Sequence, residues 1–340
     1  MPPASEEVGS SSPLGLEKLG RRLLVPLILG LLALVGLVLA VDARQLIQQL
    51  VAFNLMLLAP VLVLSLINYG LRFGRWQLYL GELGVALRFK ASLVVFLVGF
   101  VLSVTPGKAG ELGKAWMVRE LGGGAARKTA AVVIGERVSD LLGIIILTGI
   151  GALAFPGGGW ITLLCLVASG LGFLLLAWSR AAKRLIRLLS LVPWLGGKAH
   201  LLADVHDHLL ILQRPRLLAP SLLLSVLAWG AEGIGFGIVA RSYDPATSWM
   251  SGVFTYSAST FVGAASMIPG GLLASEGALA MLLGFQGMEP AAAASATLVI
   301  RAATLWFAVL LGLGALPMAL RMLSTSVTGV SQPPRETKLR

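Results

Sequence analysis

Ser103-Val104-Thr105-Pro106-Gly107 and Ser266-Met267-Ile268-Pro269-Gly270 each interrupt an apolar run, and their reading decides the fold. Proline removes a backbone donor and glycine frees φ, so an apolar helix ends or bends at Pro-Gly. The first run, 91–105, resumes at Lys108 and continues to Val118. The second, 251–268, resumes after Gly271 and continues to Phe285. Each arm is short for a span, which needs about 20 apolar residues. Both stretches therefore predict re-entrant helical hairpins, with a proline kink in one long helix as the alternative. Each has a downstream glutamate, Glu111 or Glu276. Each is followed by a span with an internal arginine, 31 positions after Pro106 (Arg137) and 32 after Pro269 (Arg301).

The rest of the chain fits an all-α polytopic membrane protein. Of 340 residues, 56% are hydrophobic and 13% charged, and the mean hydropathy is +0.86. A soluble domain needs more charge to cover its surface. The runs are continuous rather than alternating, which excludes a transmembrane β-barrel. The net charge of +11 sits in short loops between apolar runs, so it signals orientation and anionic lipid rather than nucleic acid.

The expectation is about six full spans plus the two hairpins, which a simple count would give as seven or eight. Spans are read near 23–41, 50–67, 130–155, 160–178, 217–240 and 292–317. The segment Asn68 to Trp76 reads as interfacial, with Arg72, Arg75, Arg88 and Lys90 near headgroups and Trp76 and Tyr79 as anchors. Residues 1–20 read as a disordered cytoplasmic tail, 21–320 as one transmembrane domain, and 321–340 as a flexible cytoplasmic tail. Arg21-Arg22 before the apolar run reads as a retained first span, with a cleaved signal peptide as the alternative. A cytoplasmic N-terminus places the basic loops near 18–22, 68–90, 119–128 and 179–216 inside. Only Arg44 and Arg241 then remain as basic residues in the exterior turns, and the two hairpins must enter from opposite faces. The halves, about 21–155 and 160–320, each cross an odd number of times, so tandem copies are inverted. Broken helices at matching places in inverted halves point to a transport site at the midplane.

Charge at that depth costs about 2.5–3.5 kcal/mol per residue on insertion scales. Glu136, Arg137, Asp140, Glu232, Glu276 and Arg301 are placed there, Glu136 and Asp140 on one helical face. Arg137 is expected to pair with a carboxylate of another segment, Glu111 or Glu232. One reading is a polar cavity for a charged headgroup; the other is a set of salt bridges that only hold helices together. Helix N-termini after Pro106 and Pro269, with Lys108 and Lys114 nearby, suit a phosphate. His200, Asp204 and His208 share a helical face, which is read as a solvated surface rather than a metal site. The lone Cys165 lies in an apolar run and permits no internal disulfide. With no Walker loop, zinc motif or nucleophile elbow, no cofactor, ATP-driven pumping or enzymatic activity is expected.

Several motifs occur together: Asn68 to Trp76; Thr105-Pro106-Gly107-Lys108-Ala109-Gly110-Glu111 with Lys114; Gly135-Glu136-Arg137-Val138-Ser139-Asp140-Leu141; Pro269-Gly270-Gly271 with Ala274-Ser275-Glu276-Gly277; and Arg301 with Thr304-Leu305-Trp306. In combination they resemble the flippase-like family named for the transmembrane region of lysylphosphatidylglycerol synthase, over about residues 20–320. The resemblance implies an integral inner-membrane protein that moves a lipid or lipid-linked molecule between leaflets. The lipid would be anionic, aminoacylated or polyprenyl-linked. The soluble synthase domain is expected to be absent, so no synthase activity is carried over. Leu273 stands where glycine is the commoner residue of the pattern. The expected lipid-binding residues are Arg72, Thr105, Pro106, Gly107, Lys108, Glu111, Lys114, Glu136, Arg137, Asp140, Glu232, Pro269, Gly270, Gly271, Ser275, Glu276 and Arg301. Besides membrane lipids, a second copy of the chain or an envelope enzyme is a candidate partner. The alternatives are a non-transporting partner of an envelope or lipid-modifying enzyme and a membrane-embedded lipid-modifying enzyme.

Overall fold

The computed structural model describes residues 42–155, 159–164, 166–167 and 199–329, with the single positions 36 and 170. Every regular element among them is helical. The expected first span, most of the expected span at 160–178, the basic loop as far as 198 and the outermost tails lie outside the described residues.

Helix α1 (Ala43–Ala52) is capped by Asp42, whose carboxylate accepts from the N–H groups of Arg44 and Gln45. A short turn capped by Asn54 leads into α2 (Leu58–Glu82). This corrects the expectation of a span ending near 67 and an interfacial segment after it. The helix runs unbroken through Asn68 to Trp76, and Asn68, Arg75 and Trp76 are fully buried. Each finds a polar partner inside the protein rather than at headgroups. The Asn68 amide donates to the Ala228 carbonyl at 2.9 Å, Arg75 to Asp140 at 2.7 Å and the Trp76 indole to Ser92 at 2.9 Å. Tyr79, expected as an interface anchor, is buried as well, with its hydroxyl toward Ser139.

The first hairpin is α3 (Phe89–Leu102), a break, and α4 (Gly113–Glu120). Then come α5 (Ala126–Gly151), α6 (Ala199–Leu212) and α7 (Pro215–Tyr243). The second hairpin is α8 (Trp249–Ala265), a break, and α9 (Ala274–Phe285). The last rod is α10 (Pro290–Arg301), a π turn at Ala302–Trp306 and α11 (Phe307–Gly329). Residues 321–329, expected as tail, extend this helix. Three continuous stretches among the described residues are long and apolar enough to cross a membrane: 55–82, 215–243 and 290–326. The hairpin arms are not: at about 1.5 Å per residue each is shorter than a hydrocarbon core of about 30 Å.

Packing joins helices distant in sequence. Helix α2 packs on α7. The first hairpin arm α3 packs on α11, and α8 packs on α5. The shorter helices pack as α1 against α10 and α6 against α5. Small residues allow the closest crossings, as lipid-embedded helices require. A Cβ on Gly252 of α8 would lie 2.9 Å from the Gly237 Cα of α7.

Gly252→Val is therefore expected to lower the apparent melting temperature in detergent, since overpacking costs about 1–3 kcal/mol. Gly277→Ala, which meets open space on α9, is expected to match or exceed the wild type because alanine favours the helix by about 1 kcal/mol.

Candidate functional site

The two breaks meet tip to tip. The Gly107 N–H donates to the Met267 carbonyl at 2.9 Å. A side chain on Gly107 would run into the Met267 methyl, and its φ of 58° lies in the left-handed region. Gly270, at φ 64°, faces Val104 across the same junction. Both breaks are longer than the Pro-Gly pairs suggest. Lys108 (φ 57°), Met267 (φ 57°) and Leu273 (φ 69°) also adopt left-handed backbone, which is uncommon without glycine. That conformation explains why glycine would be the easier residue at 273.

Each tip is held by the arginine that follows it. Arg301 donates through Nε to Glu276 at 2.6 Å and through a terminal nitrogen to the Gly270 carbonyl at 3.0 Å. Arg137 lies 3.6 Å from Glu111 and 3.1 Å from Asp140. The π turn after Arg301 displaces carbonyls from the regular helical ladder, as such turns do near functional sites. Helix α2 accommodates two of them: Ser65 donates to the Ala303 carbonyl at 2.9 Å and Tyr69 to the Thr304 carbonyl at 2.7 Å.

The ions of the first half form one alternating chain. Glu136 meets Lys114 at 2.8 Å, Lys114 meets Glu111 at 3.4 Å, Glu111 meets Arg137, Arg137 meets Asp140, and Asp140 meets Arg75 at 2.7 Å. Lys114 also lies 4.6 Å from the Trp76 ring, and Gly99 leaves room for its stem. Asp140 accepts further bonds from the Trp229 indole at 3.0 Å and from Ser225 at 3.3 Å. One carboxylate thus ties α2, α5 and α7 together.

Beside this chain is a cavity of about 430 Å³ between the tips, α2, α5, α7 and the π turn. Of the expected binding residues, Arg72, Gly107, Lys108, Arg137, Asp140, Glu232, Gly270, Gly271, Ser275 and Arg301 line it. Glu111, Lys114, Glu136 and Glu276 stand behind the wall in ion pairs, so Lys114 is turned away from the place expected for a phosphate. Thr105 shapes the first break by accepting from the Gly110 N–H at 2.7 Å. Pro106 and Pro269 open the short turns of the two breaks. The expected surface histidine face lies on α6, where Asp204 pairs with Arg127.

The walls missed in the sequence are aromatic: Tyr69, Phe100, Trp229 and Tyr256. Arg72 sits 5.5 Å from both the Phe100 and Trp229 rings, a favourable cation–π placement. Among the described residues no carboxylate lies within 4.0 Å of Arg72 or Lys108. The lining holds four cations against the carboxylates Asp140 and Glu232. Such a chamber is suited to an anion with an apolar body.

The geometry separates scaffold from site. Asp140→Ala leaves Arg75 buried without its partner, an expected loss of about 3–5 kcal/mol, read as a lower unfolding midpoint in detergent. Arg75→Met with Asp140→Leu should recover part of it, whereas Arg72→Gln should leave the midpoint near wild type.

The family model described as the lysylphosphatidylglycerol synthase TM region matches residues 24–312. A protein of Methanothermobacter thermautotrophicus described as a UPF0104 membrane protein is 22% identical over 316 residues, covering 86% of this chain and 94% of that protein.

Proposed function

This chain belongs to the lysylphosphatidylglycerol synthase TM-region family, and from that premise we propose that it moves a lipid or lipid-linked molecule with a phosphate-bearing headgroup between leaflets. The observation that carries the reading is the pair of cations, Arg72 and Lys108, which have no carboxylate within 4.0 Å among the described residues and line a chamber where two broken helices meet. Desolvated cations at such depth are costly. An anionic headgroup offsets that cost, while the acyl or polyprenyl chain lies among the apolar walls. Arg137 and Arg301 add a link to motion. Each lines the chamber and also holds a hairpin glutamate. A headgroup that reaches them competes with Glu111 and Glu276 and loosens the tips.

In this reading the halves are inverted, the hairpins enter from opposite faces, and both termini are cytoplasmic in an inner (plasma) membrane. Transport needs no bound cofactor. The enzyme alternative would have to work through Glu232, since the other buried carboxylates are engaged in ion pairs.

Purified protein in vesicles carrying fluorescent anionic, aminoacylated or polyprenyl-linked lipids should speed leaflet exchange of at least one class above protein-free vesicles. Arg72→Gln and Lys108→Gln should each slow it roughly tenfold or more, the value of one charge-assisted hydrogen bond. No exchange with any class would falsify the reading.

A further inference from the structure

Five buried carboxylates surround the chamber: Glu111, Glu136, Asp140, Glu232 and Glu276. Four of them have a cationic nitrogen within 4.0 Å. Glu232 has none among the described residues, although it is only 4% exposed and lines the cavity. Among the described residues its one hydrogen bond comes from the Tyr256 hydroxyl to Oε2 at 2.6 Å. Its Oε1 accepts none from them and is left open to the chamber that Glu232 lines.

The groups that face it come from every wall. Helix α2 supplies Tyr69 and Arg72, α8 supplies Tyr256, and the rod after α9 supplies Arg301 and Thr304. The first tip supplies Lys108, and α5 contributes the Arg137–Asp140 pair. The cations among them act across the chamber and do not touch the carboxyl. Occupancy of the space between them therefore governs the charge that Glu232 feels.

We propose that Glu232 is a proton-binding site linked to the chamber, so that an anion entering beside Arg72 and Lys108 is bound together with a proton on Oε1. The linkage rests on the headgroup reading above; the proton site rests on the geometry of Glu232 itself. The physical cause is direct. A phosphate in the chamber adds negative charge within the reach of a carboxylate that has no counterion of its own, in a setting where water screens little. A proton from solvent joins Oε1 and removes the repulsion, while the Tyr256 hydroxyl keeps Oε2 oriented. By reciprocity, the proton strengthens anion binding by the factor by which the anion strengthens protonation. Anion affinity then rises as pH falls. The gradient of protons across the membrane becomes an energy source for moving the anion, without nucleotide hydrolysis.

The test uses the purified full chain in detergent and two readouts. Infrared titration should show the carbonyl band of a protonated carboxyl that titrates in the wild type and is missing in Glu232→Gln. Tyr256→Phe, which retains the carboxyl, should shift the midpoint of that band. Calorimetry with glycerophosphoglycerol, in two buffers of different ionisation enthalpy, should show net proton uptake on binding and an affinity that rises about tenfold or more at low pH. Glu232→Gln should abolish the uptake and bind with the low-pH affinity throughout. A Glu232→Gln protein that keeps the band and the proton count, or a Tyr256→Phe midpoint that does not move, overturns the proton site. A probe that fails to bind while the band titrates overturns the linkage and counts against the headgroup reading, yet supports the carboxyl as a proton site.

Discussion

Asp140 is a buried carboxylate that receives Arg75, Arg137, Ser225 and Trp229. Without those partners a charge at this depth is costly. With them it fixes the relative position of three helices. Arg75 reaches it from α2, which is why that helix continues through a segment whose polarity suggests an interface. Trp229 and Ser225 reach it from α7, which is packed on α2. Arg137 reaches it from one turn away and extends the link to Glu111 in the first break. The charges that make this sequence unusual for a membrane protein thus form one balanced structure, and the cavity lies where that structure stops being balanced.

The two broken hairpins are held in the same way by different residues. Each has a glutamate after the break and an arginine on a later helix that pairs with it. In the second half the clasp is tight and also grips the Gly270 carbonyl. In the first half it is looser, because Arg137 is shared with Asp140 and Glu111 with Lys114. The two tips meet through a backbone hydrogen bond from Gly107 to Met267 and through apolar packing of Val104 with Leu272. The helix crossings at Gly252 and Gly143 are close-packed.

Much of this was legible in the sequence for a physical reason. Pro-Gly breaks and buried charges act locally, so Pro106, Pro269, Arg137 and Arg301 declare themselves without a fold. The Arg137–Glu111 contact was among the expected pairings. Arg75 and Trp76 were not legible. Hydropathy assigns an arginine beside aromatics to the headgroups, and only the fold reveals a carboxylate 65 positions away. The aromatic walls were missed likewise: Tyr69 lies in the segment assigned to the interface, and Phe100 and Trp229 lie in apolar runs, where an aromatic residue gives no sign of facing a cavity. Lys114 and Lys108 show the limit most clearly: they are six positions apart, yet one is locked between Glu136 and Glu111 and the other faces the chamber.

Hairpins that enter from opposite faces and meet at the chamber would leave their flanking turns on opposite sides of the membrane. Single cysteines in a background lacking Cys165, labelled in sealed vesicles by a reagent that cannot cross the membrane, test it most directly. Ala86→Cys and Ala125→Cys flank the first hairpin; Ala246→Cys and Glu289→Cys flank the second. All four positions are exposed. The expected result is labelling of the first two from one side only and of the last two from the other side only. Labelling of the two ends of either hairpin from opposite sides, or of all four positions from one side, would contradict it.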